Sequence, residues 1–117
     1  MTDAQTGAGR PFAGGQVMTV FRSRRREESE DAYRTLSCEL EAAARSVPGF
    51  VDFKTFTADD GEHVSLVTFA TLEAHQVWRN DRRHRDAQRR GRAELYSEYS
   101  IQVGQCTHVS RWSRDDP

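Results

Sequence analysis

The chain has 117 residues, 36% hydrophobic and 30% charged, which suits one domain with a modest apolar core. Its formal net charge of −1 lacks the basic excess of nucleic-acid-binding proteins, and no apolar run approaches the ~18 residues of a membrane span. The polar, glycine-rich segment 1–15 predicts a disordered leader and not a signal peptide, and two isolated cysteines predict free thiols in a cytoplasmic protein.

The first predicted elements are a strand and a helix. Residues 16–24 alternate between two faces and are rich in β-branched and aromatic types, which predicts a strand. One of its faces carries Val17, Thr19 and Phe21. From Glu27 to Val47 apolar residues recur every three or four positions, which predicts a helix that Pro48-Gly49 ends.

A β-hairpin is predicted next. Residues 50–57 and 63–69 are rich in aromatic and β-branched types, and Asp60-Gly61 between them favours a tight turn. The second of these strands is apolar enough to be central in a sheet.

The remainder predicts a broken helix and a last strand. Thr71 is expected to cap the helix, which breaks near Asn80-Asp81 and resumes over residues 82–95. Its first part has a predicted apolar side made of Leu72, Ala74, Val77 and Trp78. His75 is expected on an exposed flank, and the last strand is expected over residues 99–111.

The predicted order, β-α-β-β-α-β, is that of an α+β, ferredoxin-like domain over residues 16–112, with residues 113–117 as a tail. Its four-stranded antiparallel sheet carries helices on one face only. Because the other face also needs cover, we expect two chains to pair as a homodimer in a dimeric α/β barrel.

The segment from Arg79 to Arg92 holds seven arginines and predicts a site beside them. Its arginine-free side is small and polar, and consists of His84, Ala87, Gln88 and Gly91. A packing helix would carry leucines there, so room for a ligand is expected beside His84, which can exchange protons near neutral pH. Simple hydrogen bonding of an inward histidine is the alternative. The arginines themselves are a solvated face or a rim that attracts an anion.

Aromatic residues supply further candidates. Trp78, Phe69 and Phe21 are either walls against a flat ligand or core packing. Tyr99 and Tyr96 offer phenols that either bind a substrate oxygen or close a corner of the fold. The four histidines lack metal-ligand spacing, so no metal site is predicted.

These elements resemble the antibiotic biosynthesis monooxygenase family over residues 16–112. The resemblance rests on the Val47-Pro48-Gly49-Phe50 join, the strand from Val64 to Phe69, the helix from Glu73 to Trp78, and the ending from Tyr96 to Val103. It implies a homodimer with a cavity in each subunit. Some members oxidise a phenol to a quinone without metal or flavin, and others degrade haem.

Two signatures of the family are altered in this chain. The Asn/Trp pair of the quinone-forming members corresponds to Ser65 and Phe69. Of the Asn, Trp and His of the haem-degrading members, Phe21 replaces the first, Trp78 matches the second, and His84 lies about three positions early. Haem is therefore disfavoured, and no cofactor is expected.

The function that the resemblance implies is cofactor-independent oxygenation of a small, planar, phenolic, polyketide-like molecule, with His84 as base and Tyr99 as orienting donor. The predicted ligand contacts are Trp78, Phe69, Phe21, Ser65 and Gln88. Two alternatives remain: a polyketide cyclase, and a non-enzymatic protein that binds haem or another planar ligand.

Overall fold

The computed structural model describes residues 12–26 and 30–114, and its elements follow the predicted order. They are β1 (Val17–Arg25), α1 (Glu30–Arg45), β2 (Phe50–Thr57), β3 (His63–Phe69), α2 (Leu72–Arg79), α3 (Arg82–Arg90), a π-helical turn (Gly91–Leu95) and β4 (Tyr96–Gln105). Most of the predicted leader, the predicted start of the first helix and the end of the tail lie outside the described residues.

The four strands form one antiparallel sheet in the order β2-β3-β1-β4, with helices on one face. This is the predicted ferredoxin-like α+β fold, and β3 is central as expected. The alternation in β1 is also confirmed, since Val17 and Thr19 are buried under the helices while Met18 on the opposite face is 40% exposed.

The larger of two core clusters lies at one end of the space between sheet and helices, and a smaller one is formed by Leu36, Ala87 and Leu95. Phe69 at the end of β3 is fully buried and packs against Trp78 of α2, with ring centroids 5.4 Å apart. Ala43 and Ala44 of α1 are also fully buried, and such small side chains permit close approach to the sheet. The indole nitrogen of Trp78 donates a hydrogen bond to the carbonyl of Leu40, which ties α2 to α1.

The last strand begins and ends earlier than the sequence predicts. It runs from Tyr96 to Gln105, where Gln105 pairs with Val17, the first residue of β1. Cys106 still exchanges backbone hydrogen bonds with Gly15 and Gln16, but residues 107–111 lie outside the strand.

The rotation of α2 also differs from the prediction. Thr71 caps the helix as expected, since its side-chain oxygen accepts a hydrogen bond from the Ala74 amide. His75, predicted to be exposed, is only 4% exposed, whereas Val77 is 56% exposed. Leu72 is exposed like Val77. The helix therefore turns its histidine toward the sheet and two apolar side chains outward.

Gly91 opens the π-helical turn and gives a first testable prediction. A β-carbon at this position would lie 2.6 Å from Cε2 of Tyr96. We expect Gly91→Ala to lower the free energy of unfolding by about 1–3 kcal/mol, because the Tyr96 ring must move. Urea denaturation measures the loss. Gly104→Ala is the matched control, since nothing lies within 4 Å of its added carbon, and an equal loss there would contradict the steric explanation.

Candidate functional site

A cavity of about 320 Å³ lies between the helix-covered face of the sheet and the three helices. This volume is at the lower end of the ~300–1,000 Å³ typical of ligand pockets, so it suits a compact ligand. The side chains that line it are mainly aromatic and aliphatic, with a few polar groups. They come from β1 (Thr19, Phe21), α1 (Tyr33, Leu36, Ser37, Leu40), β2 and β3 (Phe53, Ser65, Val67), α2 (His75, Trp78, Arg79), α3 (His84, Ala87, Gln88) and β4 (Tyr96, Tyr99, Ile101, Val103).

One wall of the cavity comes from α2 and α3. The arginine-free side of α3 faces inward, with His84 and Ala87 buried and Gln88 half-buried. Asp81 starts this helix by accepting a hydrogen bond from the Arg83 amide, which fixes where His84 lies along the wall. The rings of His84 and Trp78 meet edge to face, with centroids 4.4 Å apart.

The two histidines of this wall are held in the neutral form. Burial, with a smaller effect of His75, lowers the pKa of His84 from 6.5 to about 4. Burial also lowers the pKa of His75, whose Nδ1 lies 3.4 Å from the hydroxyl of Thr19. The His84 imidazole therefore stays neutral at pH 7, and its buried Nδ1 has no hydrogen-bond partner among the described residues.

The facing wall is a cluster of phenols around Phe21. The Phe21 ring lies 5.4 Å from that of Tyr96 and 5.3 Å from that of Tyr99. Burial raises the pKa of Tyr96, so its hydroxyl stays protonated at pH 7. The Tyr99 hydroxyl accepts a hydrogen bond from Arg92 over 3.2 Å, which leaves its own proton free to be donated to a ligand.

Six of the seven residues singled out from the sequence are brought together here. His84, Tyr99, Trp78, Phe21, Ser65 and Gln88 all line the cavity. Phe69 does not, and it packs in the core with Phe50 and Trp78. Although Phe69 and Phe21 lie on the same sheet face, Phe69 pairs with Val17 at the strand end that the helices cover, whereas Phe21 lies four residues further along.

His75 is the main residue that sequence reasoning missed. It precedes Trp78 by three positions and follows Ala74, so it belongs to the helix side that these two inward residues define. That spacing was a usable signal, but the apolar character of Val77 and Leu72 favoured a different rotation of the helix.

Among the described residues, no three His, Cys, Asp or Glu side chains form a group that could hold a metal ion. Within the same part of the chain, no helix has the length and apolarity to cross a bilayer.

The lowered pKa of His84 predicts a loss of stability in acid. The unfolded chain protonates this imidazole below about pH 6.5, but the folded chain resists protonation down to about pH 4. His84 therefore does not lower the free energy of unfolding above pH 6.5. Between pH 6.5 and about 4 it lowers this free energy by about 3 kcal/mol. Urea denaturation at both pH values measures this. His84→Gln should reduce the pH-dependent loss, and an unchanged loss would show that His84 is not its source.

Comparison with known proteins shows which family matches this chain and which solved structures resemble it. The model of the family described as antibiotic biosynthesis monooxygenase matches residues 16–90. The uncharacterised protein YqjZ of Bacillus subtilis is 23% identical over 78 residues, which are 67% of this chain and 68% of YqjZ. SnoaB of Streptomyces nogalater, a cofactor-independent oxygenase, has a TM-score of 0.67 at 15% identity, over 89% of this chain and 100% of SnoaB. Protein SO0527 of Shewanella oneidensis has a TM-score of 0.70 at 13% identity, over 79% of this chain and 91% of its own.

Proposed function

This chain belongs to the antibiotic biosynthesis monooxygenase family, and from that premise we propose that it oxygenates a small, planar phenol of polyketide type without a cofactor. The observation that supports this most is the cavity itself. It places neutral His84 and the Trp78 ring on one wall and the Phe21–Tyr99 cluster on the other. Flat rings on both walls favour a flat aromatic ligand over an aliphatic one.

The proposed chemistry assigns each polar group a task. His84 accepts the hydrogen bond of the substrate's phenol and helps to remove its proton, while Tyr99 donates to a second substrate oxygen. Gln88 and Ser65 offer further polar contacts on opposite sides of the cavity. The electron-rich phenolate then reacts with O2: one oxygen atom enters the ring as a quinone carbonyl, and the other leaves as water with the two hydrogens removed from the substrate.

The substitution of Ser65 and Phe69 for the family's Asn and Trp changes how oxygen would meet the substrate. Phe69 carries no hydrogen-bond donor and is fully buried in the core, so it cannot donate to an oxygen intermediate as a tryptophan could. We therefore propose that the main polar contacts in this chain come from α3 and β4, through His84 and Tyr99, with Ser65 of β3 as a further contact.

Oxygen consumption with a hydroxylated anthrone tests this proposal. We expect one O2 consumed per quinone formed, with one atom of labelled oxygen in the product. A protein-free reaction corrects for spontaneous oxidation. Conversion of an uncyclised polyketide chain at an equal rate with and without oxygen would instead identify a cyclase, and no protein-dependent product from any phenol tried would leave a binding role.

Haem fits this cavity less well than a compact aromatic does. Nδ1 of His84 lacks a hydrogen-bond partner among the described residues but is itself buried, and about 320 Å³ is small for a porphyrin with its side chains. The Phe21 ring also fills the place of the haem-degrading members' asparagine. We expect no Soret shift when haemin is titrated at micromolar concentration, and a saturable shift that His84→Ala abolishes would establish haem binding instead.

We also propose that the protein is a cytoplasmic homodimer joined through the open face of the sheet. That face carries Met18, Phe56 and Leu66, which are 40%, 45% and 37% exposed. Light scattering should give twice the chain mass of 13.4 kDa, and Leu66→Glu should shift it toward the monomer by burying a charge in the interface. Leu72→Glu, on the outer side of α2, is the matched control. A monomeric wild-type protein would contradict the proposal.

A further inference from the structure

Arg79 is an exposed arginine that differs from the other arginines of its segment because it lines the cavity. It is the last residue of α2, and it is the one side chain carrying a full charge at pH 7 among the described residues that line the cavity. Its guanidinium forms no ion pair with any carboxylate in the described part of the chain, although its charge is felt by His75 and His84.

Most other arginines of this segment have partners on the protein. Arg83 pairs with Asp81, and Arg89 and Arg90 pair with Asp86. The Arg92 guanidinium donates to the Tyr99 hydroxyl. The two remaining residues, Arg82 and Arg85, are exposed like Arg79, but they do not line the cavity. Arg79 is therefore a cation at the ligand site with nothing on the protein to neutralise it.

The cavity has no negative charge to balance this cation. The described lining residues include no aspartate or glutamate, and both histidines on the same wall are neutral at pH 7. Groups facing it from α1 and β4 are the phenols Tyr33, Tyr96 and Tyr99. An anion entering this space would meet one positive charge and no repulsion.

We propose that Arg79 binds the ligand's oxygen in its ionised form, so that the bound ligand is a phenolate and not a neutral phenol. The inference rests on the proposed function, and it adds the ionic form of the substrate and the residue that recognises it. On binding, the O–H bond of the phenol breaks, its proton passes through His84 to water, and the phenolate oxygen pairs with the guanidinium.

His84 by itself cannot hold the phenol's proton for long. With a pKa of about 4, its protonated form is a much stronger acid than a phenol. A nearby positive charge reduces this difficulty because it lowers the pKa of the phenol. An opposite charge within ~4–6 Å shifts the pKa of a group by about 1–3 units.

A coloured ligand makes this ionisation visible without any turnover. A hydroxyanthraquinone changes its absorption spectrum when its phenol ionises, so a pH titration of the bound dye gives its pKa directly. We expect the wild-type protein to lower the dye's pKa by about 1–3 units relative to the free dye. Arg79→Gln should abolish most of this shift, and Arg79→Lys should retain most of it.

Arg82→Gln is the matched control, because it removes an arginine from the same surface that does not line the cavity. It should keep the wild-type shift. If the dye binds but its pKa is unchanged or raised in the wild type, or if Arg82→Gln removes the shift as fully as Arg79→Gln, the inference about Arg79 is overturned while the oxygenase proposal stands. If the dye does not bind and no phenol is oxidised, both fail.

Discussion

Replacing His84 by alanine is expected to lower turnover of a phenolic substrate by a factor of about 10²–10⁴ while the fold persists. The imidazole lines the cavity, is neutral at pH 7, and has a nitrogen without a partner among the described residues. Removing it takes away the group that receives the phenol's proton. Steady-state oxygen consumption measures the loss, and circular dichroism checks the fold.

Two further variants sharpen this test. His84→Gln keeps a polar side chain but cannot take up a proton, so it should lose turnover while retaining more stability than alanine. His108→Ala removes an exposed histidine that follows β4 and should change nothing. Turnover within about twofold of wild type in both His84 variants would exclude His84 as the base.

Phe69→Ala is expected to lower the free energy of unfolding by about 3–5 kcal/mol, which is large relative to the ~5–15 kcal/mol stability of a small domain. Phe69 has no exposed surface and contacts Trp78 and Phe50, with ring centroids 5.4 and 6.1 Å away. Its removal leaves a void among rigid aromatic neighbours that cannot collapse to fill it. Equilibrium unfolding in urea measures the effect.

Phe21→Ala is the matched comparison for Phe69→Ala. Phe21 is only half-buried and borders open space, so its truncation should cost less stability than that of Phe69. Its effect should fall on ligand affinity, because it forms a wall of the cavity with Tyr99. Equal losses of stability in the two variants would contradict the division between core and cavity.

The sequence predicts the architecture of this protein because local residue patterns determine its strands, helices and turns. Period-two alternation places Val17 and Thr19 under the helices. The Asp60-Gly61 turn sets the β2–β3 hairpin, and Gly61 has the positive φ of 91° that this turn requires. The side of α3 without arginine faces the cavity because charged side chains remain in water unless they are paired.

The sequence by itself determined which elements form, their order, and which face of β1 and α3 turns inward, because these depend on neighbours within one or two turns of chain. The tertiary structure alone decided what each inward position meets. Phe69 and Phe21 share a sheet face, yet one lies under α2 and the other beside a cavity. His75 became a cavity residue because packing of Trp78 set the rotation of α2. β4 ended at Gln105 because β1 begins at Val17. Each outcome depends on contacts between distant segments, which local periodicity does not encode.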